Sequence, residues 1–438
     1  MQTPIDPPAP AARLAASNTS LLVMLVATTS LSQFFRASTN VIAPELIRDL
    51  ALSPEMLGFA NACFFLSLLA IQVPVGILFD RLGARWTVGA LSVLAVGGTL
   101  LHALVTTGNG LALARFLLGL GHGGSFMASV FLVSRWWPRQ HWTFVISLVW
   151  AGSMLGTAAA GTPLAMAAAW LGWRHAFVAL SLVSALVGLL FVALVRDSPP
   201  GASHPTKVPE RLGTALKGFI TILCLPGLLN VLALQSVAYA VLTTTMGLWA
   251  GTYLNDVHGL SGIARGNALI AMACGQGLGL LAIGSLDRRL DTRKWVAAAC
   301  ATATCATLAA LALWPDLPMP QAVALLVVLA TVSAYGPVVV SHARTFYPEA
   351  LAGRGVTTAN MAQLLGCALM PIGTGLIPGL FPIGPGGYAV EAYRWIFATM
   401  AGTLLAGLLV YLRSRDVPPS RGNVPAAAAR SGIEEHKA

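Results

Sequence analysis

Charge is what this chain is short of. Only 10 % of its 438 residues are Asp, Glu, Lys or Arg, against about 25 % in an ordinary soluble domain. Hydrophobic residues make up 56 %, more apolar surface than one water-soluble core could hide. Runs of the roughly 20 apolar residues that cross a bilayer recur along the chain. A soluble globular protein is thereby excluded. Acid is scarcer than base, 16 Asp and Glu against 26 Lys and Arg. All the acids can be assigned to loops, tails or span ends, so no carboxylate is left for the hydrocarbon interior. Cysteine is also sparse: Cys63, Cys224, Cys274, Cys300, Cys305 and Cys367 lie in apolar runs without Cys-x-x-Cys spacing. They read as small packing residues rather than disulfides or metal ligands. No nucleophile–base pair, phosphate-binding glycine loop or metal-ligand spacing stands out, and the eight histidines share no helix register. An enzyme and an ATP-driven pump are both disfavoured, and no cofactor is expected. The opening MQTPIDPPAPAARLAASNTS is polar and Pro-rich, and reads as a tail rather than a cleaved leader.

What is there is a series of twelve apolar runs. Turn signals place them near 18–45, 54–79, 85–107, 109–136, 141–168, 173–195, 226–252, 261–286, 294–314, 320–346, 355–383 and 392–413. Bends are expected at Pro44, Pro163, Pro337 and Pro371. With the N-terminus placed in the cytoplasm, nearly every basic residue outside the spans falls on that side; Arg48, Arg174, Arg265 and Arg394 are the exceptions. This asymmetry predicts a protein of the inner (plasma) membrane with both termini cytoplasmic. It also accounts for a sequence pI near 9.7 without a nucleic-acid partner. Arg36 and Arg115 remain, and both lie inside spans.

The chain is written twice. GILFDRLGARW at 76–86 returns as IGSLDRRLDTRKW at 283–295, LSPEMLG at 52–58 as LSGIARG at 260–266, and WWP at 136–138 as FYP at 346–348. GWRHAF at 172–177 similarly resembles AYRWIF at 392–397. Four landmarks in one order predict an all-α membrane protein with twelve transmembrane helices in two pseudo-symmetric six-helix halves. The expected parts are a cytoplasmic tail at 1–17, halves at 18–195 and 226–413, a cytoplasmic linker at 196–225 with an amphipathic stretch LGTALKGFITIL, and a cytoplasmic tail at 414–438.

Gly76-x-x-x-Asp80-Arg81-x-Gly83-x-Arg85 resembles the loop signature of the major facilitator superfamily, over a region covering about residues 18–415. The second copy, with Asp287 and Arg288, is degenerate, having Leu290 where the glycine stands. The resemblance implies a gate latch. In it Asp80 accepts hydrogen bonds from a helix N-terminus and from arginines, tying the halves together at the cytoplasmic side while the site faces outward.

In transporters of that kind the substrate binds near the midplane between the halves, and intramembrane charge is the pointer to it. An arginine at a helix centre costs about 2.5–3.5 kcal/mol on insertion scales, so it needs a partner or a wet cavity. Arg36 shares a polar stripe with Gln33 and Asn40. With no acid available, an anionic ligand is its natural complement. Arg115 and His122 stand seven apart on one face of span 4, with Gly119 between. Arg115 fits the superfamily's arginine of this helix, which is tied to proton coupling or gating. His122, with an ordinary pKa near 6.5, is the candidate proton carrier. Gln235, Tyr239 and Thr243 in span 7, Tyr335 in span 10, and Asn360 and Gln363 in span 11 are expected to complete a polar, aromatic-walled pocket.

Arg36, Arg115, Gln72-Val-Pro74-Val-Gly76 and Asn360 further resemble the anion:cation symporter branch. Two positions depart from it: Phe35 stands for an aspartate and His122 for an acid, while Leu68 stands where a Tyr is common. The implied function is import of a small organic anion, a short carboxylate or sulfonate, coupled to a proton or else to sodium, by a monomer in the bilayer. Proton-driven efflux of drugs or metabolites, and a non-transporting sensor on the same fold, are the alternatives.

Overall fold

Inside a bilayer no water is at hand for backbone N–H and C=O groups, so a chain this apolar meets them within helices. A computed structural model describes residues 9–138, 141–199, 221–347, 352–384 and 387–421. The outer parts of the two tails and most of the linker, including nearly all of its amphipathic stretch, lie outside the described residues. Among those described, eleven helices are long and apolar enough to cross a membrane. One of them, Pro54–Leu104, is 51 residues long and bends at Gly83, where φ is 78° and ψ 171°. It therefore supplies two spans, which makes twelve. They are α1 (Thr19–Leu50), α2 (54–82), α3 (84–104), α4 (Gly108–Trp136), α5 (Phe144–Leu171), α6 (Trp173–Leu194), α7 (Leu228–Asp256), α8 (Gly262–Ile283), α9 (Lys294–Leu313), α10 (Met319–Phe346), α11 (Gly355–Leu380) and α12 (Val390–Tyr411). A short antiparallel hairpin, β1 (Ile383–Gly384) with β2 (Gly387–Tyr388), links the last two.

Two of the four expected proline bends occur. α5 breaks before Pro163 and α10 before Pro337, whereas Pro44 and Pro371 sit inside continuous helices. α4 has a break that no proline marks, at Gly123–Gly124.

The signature around Gly83 is thus a bend in one helical ribbon rather than an open loop. Its carboxylate partner is Asp197, just past α6. Asp197 accepts the Arg85 backbone N–H at 2.9 Å, and its carboxylate fills the space a Cβ at Gly83 would need. Arg85 Nε donates to Val192 O at 2.6 Å. Asp80 and Arg81 are exposed and bond no described residue, and Gly76 has open room around it. The second half repeats the device: Asp416, past α12, accepts the Lys294 backbone N–H at 3.2 Å and the Thr292 hydroxyl at 2.5 Å. Asp287 lies 4.0 Å from Arg293 Nε; the Arg288 side chain is outside the described set.

Call the end where α1 begins and α12 stops the near end. At the opposite, far end the two halves are fastened together. Small residues allow backbone-to-backbone approach: a Cβ at Gly58 of α2 would collide with Pro371 O of α11, and one at Gly266 of α8 with Thr162 N of α5. Polar bonds add to this. Thr162 Oγ1 donates to Asn267 Oδ1 at 2.5 Å. Arg265, 3 % exposed, pairs with Glu45 Oε1 at 2.8 Å and reaches Val41 O at 3.2 Å.

Two outcomes are expected. Asp197→Ala removes a helix-capping acceptor and should lower stability by about 1 kcal/mol, read as a drop in Tm of the detergent-solubilised protein; Asp80→Ala should leave Tm unchanged. Glu45→Gln weakens the far-end tie. Spin labels at Leu171 and Ile263 should then report at least a tenfold gain in the wider separation, which is about 1.4 kcal/mol; an unchanged distance distribution would show that the pair does not hold the halves.

Candidate functional site

A small, partly open cavity lies between the halves, walled by α1, α5, α7 and α8. From the N-terminal half come Gln33, Arg36, Ala37, Met154 and Thr157. The C-terminal half adds Tyr239, Leu242, Thr243, Met246, Gly247 and Gln276. Arg36 is the charged residue of this wall. Its guanidinium stands 5.8 Å from the Phe65 ring, and the Tyr239 hydroxyl neighbours both Arg36 and Gln33. Among the described residues no carboxylate pairs with it, and Arg36 Nε is buried without a hydrogen-bond partner. A site with one unpaired cation, two amides and three hydroxyls, closed by methionine and leucine, suits the charged head of a small anion.

The helical spacing explains the α7 side of the wall. Tyr239 and Thr243 are one turn apart, and Thr243 Oγ1 donates back to Tyr239 O at 2.9 Å. The helix then widens into a π-turn over Thr245–Trp249. Gly247 lets α1 approach there, since a Cβ would stand 3.0 Å from Arg36 O. Such turns leave helix peptides unpaired, and here one side chain from the other half takes them up. Asn40 Nδ2 donates to Met246 O at 2.6 Å, while Asn40 Oδ1 accepts the Gly251 N–H at 2.5 Å.

The expected residues therefore separate. Gln33, Arg36, Tyr239 and Thr243 meet in the cavity. Asn40 does not: it is fully buried and spent on α7. Gln235 Nε2 donates to Gln363 Oε1 at 2.7 Å, so those amides bond each other beside the cavity, with Gln235 Oε1 left without a partner. Tyr335 is fully buried in the second half near Cys300, Cys305 and Tyr411, and Asn360 is half-buried on α11; neither lines the cavity. Thr157 and Gln276 line it without belonging to any stripe named above. The signal for Gln276 is an amide flanked by Gly275 and Gly277 in an apolar run.

Arg115 is likewise accounted for within its own half. It is 1 % exposed, donates to Phe35 O at 2.6 Å and Asn61 Oδ1 at 2.8 Å, and lies 4.7 Å from the Phe64 ring. It ties α4 to α1 and α2. His122 stacks on Phe35, with centroids 5.1 Å apart, and Phe35 also packs against Phe177 at 6.3 Å. The two departures from the symporter pattern are thus one contact, an aromatic pair where two acids would be expected.

Comparison with known proteins agrees with this architecture. Over 171 residues the chain is 28 % identical to a probable sulfoacetate transporter, SauU, of Cupriavidus necator, covering 39 % of this chain and 40 % of that one. It is 25 % identical over 187 residues to the probable galactarate/D-glucarate transporter GudP of Escherichia coli, covering 40 % and 41 %. An MFS-type efflux pump of Mycolicibacterium smegmatis is 30 % identical over 273 residues, covering 59 % and 60 %. The match spans about two fifths to three fifths of the length of these curated relatives. Among solved structures, a D-xylose–proton symporter superposes with a TM-score of 0.73 at 18 % identity, over 91 % of this chain and 98 % of that one. Residues 25–371 and 253–437 both match the sequence profile of the Major Facilitator Superfamily. With a doubled six-helix plan, a cavity between the halves and a profile match along nearly its whole length, the chain belongs to the Major Facilitator Superfamily.

Proposed function

We propose that this protein is a secondary active transporter importing a small organic anion, a short carboxylate or sulfonate, across the plasma membrane by proton symport. Both termini face the cytoplasm in this reading, so the near end is the inner one. The observation that carries it is Arg36: a guanidinium in the inter-half cavity with no acid to neutralise it. The names of the sulfoacetate and galactarate/D-glucarate relatives point to the same class of substrate.

The fastened far end fits an inward-facing state, since alternating access closes one side at a time. A free, exposed Asp80 at the near end fits a latch that is released in this state. Coupling falls to His122, one helix face away from the cavity and stacked on Phe35. An anion at Arg36 favours a proton on the imidazole and the proton favours the anion, which is the cooperativity symport needs.

Export is the second reading, because of the efflux-pump relative. Proteoliposomes with an imposed pH step separate the two: import predicts accumulation of labelled sulfoacetate, galactarate or glucuronate on the alkaline side, where export coupled to protons predicts depletion. Arg36→Lys replaces a fork of donors by a point charge and should weaken anion affinity at least tenfold. His122→Gln should abolish pH-driven accumulation while retaining anion exchange at equal pH. Unchanged affinity in the first variant, or undiminished accumulation in the second, would refute the assigned role of that residue.

A further inference from the structure

The N-terminal half contains a second internal space. It is a small space bounded by α1, α3, α4 and α6, with room for about one water molecule, and shares no lining residue with the cavity between the halves. Small residues make the room: Ser92, Ala95, Gly121, Ser125, Ser184 and Gly188. Two polar atoms in its wall have no hydrogen-bond partner, His122 Nε2 and Ser184 Oγ. Both side chains are well buried, at 6 % and 3 % exposure. The other wall hydroxyls with assigned bonds are occupied: Thr28 Oγ1 donates to Met24 O and Ser92 Oγ to Val88 O, at 2.9 and 2.8 Å.

An apolar void stays dry, but one holding an unsatisfied imidazole nitrogen and hydroxyl takes up water, each molecule needing about 30 Å³. The direction of the helices sets where that water leads. α1 enters from the near end just before Thr28, α3 leaves it just before Val88 and Ser92, and α6 reaches it just after Val187 and Gly188. His122 sits at the inner, mid-bundle limit of the space. Around the ring, α1 contributes Phe35 in stacking contact and Arg36 as the charged neighbour. α3 and α6 contribute Val88, Ser92, Ala95, Ser184, Val187 and Gly188, none of which titrates.

We propose that this space is a hydration site through which His122 releases its proton toward the near end, apart from the route of the anion. The inference rests on the proton-symport reading above. In the step it describes, the imidazolium Nε2–H bond breaks, the proton passes to the adjacent water oxygen, and the electron pair remains on Nε2 of the neutral ring. Water relays the proton outward, and Ser184 Oγ holds the first water against the ring.

Radiolytic hydroxyl labelling with mass spectrometry tests for the water directly, because bound water marks buried neighbours. In the wild-type protein the buried His122 and the half-buried Leu31 and Val187 should be labelled. Ser184→Val removes the hydroxyl that holds the water, and should reduce that labelling and the rate of pH-driven sulfoacetate uptake at least fivefold each. Sulfoacetate exchange at equal pH should stay within twofold, which also shows that the variant is folded. Ser184→Thr, which keeps the hydroxyl, should retain most of the uptake rate. Absence of label in the wild type, or full pH-driven uptake in Ser184→Val, overturns the proposal. A wild type that is labelled yet shows no pH-driven uptake overturns the symport reading and the proton route with it, leaving only a wet chamber.

Discussion

A guanidinium held in hydrocarbon must be solvated by something, and most of this structure's functional logic follows from how two arginines meet that demand without a carboxylate. Arg115 is solvated by its own half: a carbonyl, an amide oxygen and an aromatic face surround it. Its Nε is left without a partner, but Arg115 lines neither of the two cavities. Arg36 has an aromatic face, a tyrosine hydroxyl and an open cavity. The same side chain is therefore a structural tie in one place and faces a cavity in the other, where the proposed reading makes it the recognition element; the difference lies in how many oxygens the neighbouring helices supply.

The rest of the site is arranged so that Arg36 keeps that vacancy. Polar groups that could drift toward it are already engaged. Gln235 and Gln363 bond each other, Asn40 is consumed by α7, and Glu45, the acid nearest in sequence, is drawn to Arg265. These bonds occupy Gln363 Oε1, Asn40 Oδ1 and Glu45 Oε1 as acceptors, so in the proposed reading an incoming anion meets a guanidinium that the protein has not neutralised. The far-end contacts and the binding site are thus parts of one arrangement.

Much of this was legible in the residues. Spans, doubling and the singular position of Arg36 follow from hydropathy, repetition and the absence of acids, all properties that act over many residues. The α1 stripe reaches the cavity at Gln33 and Arg36 but not at Asn40. Periodicity says which way a side chain faces, but not that the facing helix has opened a π-turn for it. Tyr335 lies outside the cavity for a similar reason: it packs within its own half. Arg-Asp-Ser-Pro-Pro at 196–200 and Arg-Asp-Val-Pro-Pro at 415–419 are a fifth repeat, lying just beyond the spans. Their aspartates turn out to cap the helix that opens with Arg85 and the one that opens with Lys294. Phe35 and His122 stood out singly as departures; only folding shows them to be one pair.

The π-turn of α7 has an effect on the length of the chain. A regular turn takes 3.6 residues, and a single wide turn accommodates one more without lengthening the helix by a full step. Upstream of Thr245 and downstream of Trp249, α7 therefore runs in two phases offset by the angle of a single residue, about 100°. Tyr239 and Thr243 belong to the first phase and look into the cavity, while Gly251 belongs to the second and looks at α1. One residue, inserted at this point and registered by the amide of Asn40, is enough to let a single helix face the cavity on one stretch and the partner half on the next.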